Sequence, residues 1–181
     1  TAIKTHLQVA RMTEGSARDQ SLARAEEGAD RLHRTLEQLL LLARVEGSLS
    51  FDDGVQSSAE EVARLAIQDA NAGDNSRIDL ILAPDLSPVP VAMPVGLAVA
   101  ALRNLLDNAL RHTPADTRVE LHVFSTPDNV VFRVRDHGQQ ISSEDLQYLT
   151  QRFWRNGSSE GCGLGLAIVQ AIVQRCFCSL H

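Results

Sequence analysis

From Leu22 the apolar positions of the chain fall at Leu22, Ala25, Ala29, Leu32, Leu36, Leu39 and Ala43. The steps alternate three and four, which predicts a helix with an a/d seam lasting three heptads. Ile3, Leu7 and Ala10 repeat the spacing in a shorter segment upstream. Thr13-Glu14-Gly15-Ser16 between the two supplies a helix stop and a polar turn. Residues 1–46 therefore read as a helical hairpin whose stripes need a partner, most simply a second copy completing a four-helix bundle.

Gly47 to Gly54 reads as a linker (47–54), and the texture over 55–181 changes to mixed α and β. Ser58-Ala59-Glu60-Glu61 predicts a capping box before a helix carrying Val62, Leu65, Ile67 and Ala70. Ile78, Leu80 and Leu82 alternate as in a half-buried strand. Pro94 suits the first position of a helix reaching about His112. Val119, Leu121 and Val123, the turn Pro127-Asp128-Asn129, then Val130, Phe132 and Val134 predict a hairpin. A further helix is expected from Ser142 and Ser143 through Leu146, Leu149 and Phe153, and a last one opens at Gly161–Gly165 and runs through Ile168, Ile172 and Val173. The fold class is α+β: a helical hairpin followed by helices on one face of a mixed sheet, an α/β sandwich.

Composition narrows the chemistry. The chain has 181 residues, 44% hydrophobic and 22% charged, a globular balance. Seventeen basic against 23 acidic residues give −6, which argues against a nucleic-acid surface. No apolar run reaches the roughly 20 residues of a membrane helix, and no signal peptide opens the chain. Three cysteines, two of them Cys176 and Cys178, read as reduced thiols rather than a disulfide framework. Cys176, Cys178 and His181 make a poor metal set, with no fourth ligand near in sequence. Only Lys4 is lysine, and it is far from every glycine cluster. That excludes a P-loop and a eukaryotic-type protein kinase, both of which place lysine on the nucleotide.

Three local patterns could carry chemistry. Asn104, Asn108 and His112 are spaced by four on one helix face, among Leu105, Leu106 and Leu110. An amide oxygen suits a hard cation such as Mg²⁺, and an amide N–H can donate to phosphate, although such residues also cap backbone or face water. Asp136 continues the inward alternation of Val130, Phe132 and Val134, which predicts a covered carboxylate able to hold an adenine amino group. Gly138 beyond it would let backbone approach a flat ring, and a turn-capping aspartate is the plainer alternative. Gly161, Gly163 and Gly165 place three of the 11 glycines within five residues before a helix, an anion-binding arrangement or a hinge.

The joint pattern is more specific than its parts. Asn104-Leu-Leu-Asp-Asn-Ala-Leu-Arg-His-Thr113, Asp136-His-Gly138, Arg152-Phe-Trp-Arg155 and Gly161-Cys-Gly-Leu-Gly-Leu166 occur in that order. Together they resemble the nucleotide-binding boxes of bacterial two-component sensor histidine kinases, and residues 1–46 resemble that family's dimerisation and phosphotransfer helices. The resemblance implies a Bergerat-type ATP-binding domain over 55–181. It implies Mg²⁺ on Asn108, ATP bound by Asn104, Asn108, Arg111, His112, Asp136, Gly138, Ile141, Gly161, Gly163, Leu164, Gly165 and Leu166, and a lid anchored by Phe153. It further implies a homodimer, phosphotransfer to a response regulator receiver domain, and the cytoplasmic portion of an inner-membrane protein, attached through segments outside this chain.

Three departures from the family pattern shape the expectation, one being that Cys176-Phe-Cys-Ser-Leu-His181 stands where a closing strand of the family is expected to begin. The family's acceptor histidine lies in H-E-x-x-x-P, and His6 lacks both the acid and the proline, so this chain is expected not to phosphorylate itself. Gln140 stands where the family pattern D-x-G-x-G has its second glycine, which is expected to crowd the base. The alternatives are a non-catalytic dimerisation and docking module with a decayed nucleotide site, or another Bergerat-fold ATPase such as a serine kinase acting on an anti-sigma antagonist.

Overall fold

The computed structural model describes residues 2–47, 57–70, 77–86, 90–138, 148–149, 151 and 163–180. The chain forms two compact units, Thr1–Ala43 and Arg44–His181. No helix among the described residues is long and apolar enough to cross a membrane.

The first unit holds α1 (Ala2–Met12) and α2 (Ser16–Glu46), whose last turn belongs to the second unit. Gly15 adopts φ +62 between them, a conformation glycine takes at no steric cost. Its carbonyl accepts the N–H groups of Arg18 and Asp19 at 3.0 and 3.2 Å, which starts α2. The surfaces that meet are small. Ser21, Ala25 and Gly28 are the buried positions on this part of α2, and a Cβ on Gly28 would lie 2.9 Å from Ile3 Cγ1. The expected leucine seam behaves otherwise: Ala25 is buried and Leu22 half-buried, but Ala29, Leu32, Leu36, Leu39 and Ala43 are exposed. Length is one reason. The 11-residue α1 spans about 16 Å and the 31-residue α2 about 46 Å, so α1 cannot cover the seam's second half.

In the second unit α3 (Ala59–Ala70) starts at the expected capping box, with Ser58 Oγ accepting the Glu61 N–H at 3.2 Å. Ala59, Val62, Ala63 and Ala66 are buried, whereas Leu65 is turned outward. Arg64 holds Glu60 through two hydrogen bonds to Oε1 on the exposed face. A mixed sheet follows the order β1 (Ile78–Leu82), β2 (Val119–Ser125), β3 (Val130–Arg135). β1 pairs parallel to β2, with Leu80 opposite Leu121, and β2 pairs antiparallel to β3, with Val123 opposite Phe132. The hairpin turn closes through Thr126, whose N–H donates to the Asn129 carbonyl at 2.7 Å.

α4 (Val95–His112) crosses the sheet, and Pro94 caps it from outside rather than serving as its first residue. Its buried Leu102, Leu106 and Ala109 join α3 and the inward Val119, Leu121 and Val123 of β2 in one core. Leu106 and Leu121 are fully buried, so truncating either to alanine removes packing worth about 2–5 kcal/mol. α5 (Gly165–Arg175) packs on α4 and buries Ala167, Ile168, Val169 and Ile172. Arg175 Nη1 donates to the Val45 carbonyl at 2.7 Å. Helices thus cover one face of the sheet, as the alternation predicts. Most of the expected helix from Ser142 to Phe153 lies outside the described residues.

Candidate functional site

α4 is the wall on which the site is built. Asn104, Asn108 and His112 follow one another by single turns on one face, about 12 Å from first to last. Asn104 is only 8% exposed, and its Nδ2 donates to the Ala100 carbonyl at 2.8 Å, which fixes the amide. Its Oδ1 then points at the start of α5, where a Cβ on Gly165 would sit 3.3 Å away. Gly163 just before adopts φ +66, and Leu164 is fully buried, so the residue between Gly163 and Gly165 is anchored in the core. Leu166 is half-buried, as is Asn108. The first-turn N–H groups of a helix have no intrahelical acceptors and carry its positive end. At α5 that end is brought beside the asparagine stripe.

The C-terminal end of α4 meets the aspartate motif. A side chain on Gly138 would collide with the His112 carbonyl oxygen and lie 3.0 Å from Asp136 Oδ1. Gly138 is therefore demanded by the helix terminus, not only by approach to a ring. Asp136 differs from its expected setting: it is exposed, not covered. β3 ends at Arg135, so strand alternation no longer aims the next side chain, and Asp136 Oδ1 instead accepts the Gly138 N–H at 2.8 Å. Arg111 and His112 are exposed on the last turn of α4, where positive charge is favoured by the helix dipole.

Two residues near this end escaped sequence reasoning. Thr113 is 6% exposed, and its hydroxyl is buried with no hydrogen-bond partner among the described residues. Arg77 fastens the turn after α4, donating through Nη2 to the carbonyls of Thr113 and Pro114 at 3.1 and 2.7 Å and through Nε to that of Thr117 at 3.4 Å. No spacing could reveal Arg77, because its acceptors are backbone atoms some 40 positions away. Ile141, Gly161, Gln140 and residues 152–160 lie outside the described residues.

The carboxyl groups with resolved electrostatic shifts lie on the sheet strands β1 and β2. Hydrogen bonds from Arg118 at 2.6 and 2.7 Å hold the Asp79 carboxyl below its ordinary value. His122, 2.8 Å from Glu120, does the same for that carboxyl. Two shallow clefts flank α3, one lined by Ser58, Glu61 and Leu65, the other by Ile67, Ile78 and Leu80, and neither includes a candidate residue.

Comparison with known proteins bears on the family and the fold. Residues 95–178 match the family described as histidine kinase-, DNA gyrase B- and HSP90-like ATPase. Sensor protein kinase PmrB of Pseudomonas aeruginosa is 35% identical over 99% of this chain and 38% of its own length. Sensor protein QseC of Escherichia coli is 31% identical over 96% of this chain and 39% of its own. The chain thus spans under two-fifths of the length of these relatives. The solved histidine kinase AdeS of Acinetobacter baumannii shares the fold, with a TM-score of 0.66 and 22% identity over 96% of this chain and 82% of that one. Over nearly its whole length the chain is thus homologous to part of sensor histidine kinases, and residues 95–178 carry a domain of the histidine kinase-, DNA gyrase B- and HSP90-like ATPase family.

Proposed function

We propose that residues 55–181 bind Mg·ATP on the α4 wall and donate the γ-phosphoryl to a histidine, from which it passes to an aspartate on a response regulator receiver domain. The observation that carries this reading is the double contact of α4: Asn104 meets Gly165 at mid-helix, and the His112 carbonyl meets Gly138 at the C-terminal end. The amide stripe runs along the same helix as those two contacts, and its surface is the one to which the nucleotide is assigned. Asp136 accepts the adenine amino group; Asn104, Arg111 and His112 line the polar wall. Gly161, Gly163 and Gly165, with Leu164 and Leu166, present backbone N–H groups to the phosphates, and Ile141 flanks the base.

The donor set fits magnesium carried by the nucleotide. Mg²⁺ commonly takes few protein ligands beside phosphate oxygens and water. Among the described residues no cluster of three His, Cys, Asp or Glu side chains competes for it. Asn108 supplies the one amide oxygen needed, and the bound ion neutralises phosphate charge. The protein's own part is positioning and electrostatic complementarity rather than covalent chemistry.

Residues 1–46 serve dimerisation and phosphotransfer, with 47–54 as linker. The exposed Leu32, Leu36 and Leu39 of α2 face a second copy. None of the six histidines stands in H-E-x-x-x-P, so the acceptor is supplied by a segment carrying that motif. In the cell this portion works in the cytoplasm, attached to the inner membrane through other segments. Titration of Mg·ATP against the chain and its Asn108→Asp and Asp136→Asn variants tests the site. Each variant is expected to bind at least about tenfold more weakly, a loss of roughly 1.4 kcal/mol. Undetectable binding by the parent chain, or equal binding by all three, overturns the reading.

A further inference from the structure

α5 ends in a turn that carries both described cysteines. The Cys176 N–H donates to the Ile172 carbonyl at 2.9 Å, and the Cys178 N–H reaches back to the Val173 carbonyl at 3.0 Å. The second bond spans six residues and closes a Schellman-type cap, which requires a left-handed residue between the cysteines. That residue is Phe177, at φ +54 and 97% exposed. Glycine would hold this conformation without strain, and the exposed phenyl ring gains no burial.

The turn places two thiols on neighbouring ground. Cys178 Sγ lies 3.5 Å from the Cys176 carbonyl oxygen, so its side chain folds back toward the first cysteine. A disulfide spans a Cα separation of roughly 4.4–6.8 Å, the scale on which a tight turn holds residues two apart. Burial, then the charge of Cys178, pushes the Cys176 thiol up, while Arg175 opposes. Burial alone pushes the Cys178 thiol up. Cys178 is exposed and Cys176 half-buried, which sets the order of attack.

We propose that Cys176 and Cys178 form a dithiol modification site that closes an intrachain disulfide by exchange with a small disulfide of the glutathione class. The Cys178 thiolate attacks one sulfur of glutathione disulfide, breaking its S–S bond and releasing one glutathione thiolate. The Cys176 thiolate then attacks the Cys178 sulfur of the mixed disulfide and releases the second. The two cysteines lose two protons and two electrons, and one glutathione disulfide becomes two glutathione thiols.

The test uses the whole chain in glutathione redox buffers, followed by alkylation and tryptic digestion. Cleavage after Arg175 releases Cys176–His181, which contains both cysteines and excludes Cys162. The expected product is this peptide short of two hydrogens and free of alkyl groups. The ring should form at an oxidised-to-reduced glutathione ratio at least about tenfold lower than in the free hexapeptide, because the folded turn raises the effective thiol concentration. In Cys176→Ser a stable glutathione adduct should collect on Cys178. Equal ratios for chain and hexapeptide, adducts on the parent chain without a ring, or chains cross-linked to one another would each overturn the proposal.

Discussion

Asn104 Oδ1 lies 3.3 Å from the point that a Cβ on Gly165 would occupy, with its amide nitrogen already committed to the Ala100 carbonyl. The asparagine cannot rotate away without giving up that bond inside a nearly buried setting. Gly165→Ala therefore shifts the start of α5 or the amide by a few tenths of an ångström. The expected result is an Mg·ATP affinity reduced about tenfold with little change in Tm, since alanine favours the helix itself. Unchanged affinity on calorimetric titration would separate this contact from nucleotide binding.

Gly138 poses a harsher constraint, because its missing Cβ would strike backbone, the His112 carbonyl, rather than a flexible side chain. Either β3's exit or the end of α4 has to move. Gly138→Ala is expected to destabilise the second unit by about 2 kcal/mol, the ordinary scale of overpacking. For a chain of this size that lowers Tm by roughly 4–8 °C. A thermal scan showing no loss would mean that the loop relaxes freely.

These two contacts also show how far the chain could be read unaided. Elements whose signals are local came through: the Ser58–Glu61 cap, the 119–134 hairpin and the asparagine stripe each rest on spacing within one element. Orientation beyond an element's end did not. The alternation of Val130, Phe132 and Val134 predicts a covered Asp136, but strand geometry stops at Arg135 and a local turn takes over. The α2 seam was legible as apolar, yet α1 packs on the small residues beside it, where Gly28 permits close approach to Ile3. Arg77 left no trace, since its acceptors are main-chain carbonyls that only the folded topology brings near.

Exposed leucines at 54%, 50% and 39% for Leu32, Leu36 and Leu39 are a costly surface for a solitary helix. Burying them against a second copy offsets that cost, so Leu36→Glu should shift the chain from dimer to monomer. Light scattering coupled to gel filtration reads the outcome, and the variant's Mg·ATP affinity should stay within about twofold of the parent's, because the second unit is untouched. A parent chain that is monomeric at high concentration defeats this account of α2.

Glu120 sits among positive and titratable groups: His122 Nε2 at 2.8 Å on its own strand, and Arg135 Nη1 and His137 Nε2, each at 3.9 Å, at and beyond the end of β3. The hydrogen bond to His122 lowers its pKa most, partial burial opposes, and the charges of Arg135, His122 and His137 add to the lowering. Asp79 is lowered in the same way by Arg118. A carboxyl depressed in the folded state is protonated more readily in the unfolded state, so stability rises with pH through that window. The contribution is fully present above the ordinary carboxylate range, about pH 4–4.5, and is lost as pH falls through the folded values. Both groups are open to solvent, which keeps the effect small and sensitive to salt. Denaturant midpoints between pH 6 and about 3 should fall less steeply for Glu120→Gln than for the parent at low ionic strength, with the difference shrinking in high salt. Parallel curves for the two proteins would show that His122 and Arg135 leave Glu120 energetically alone.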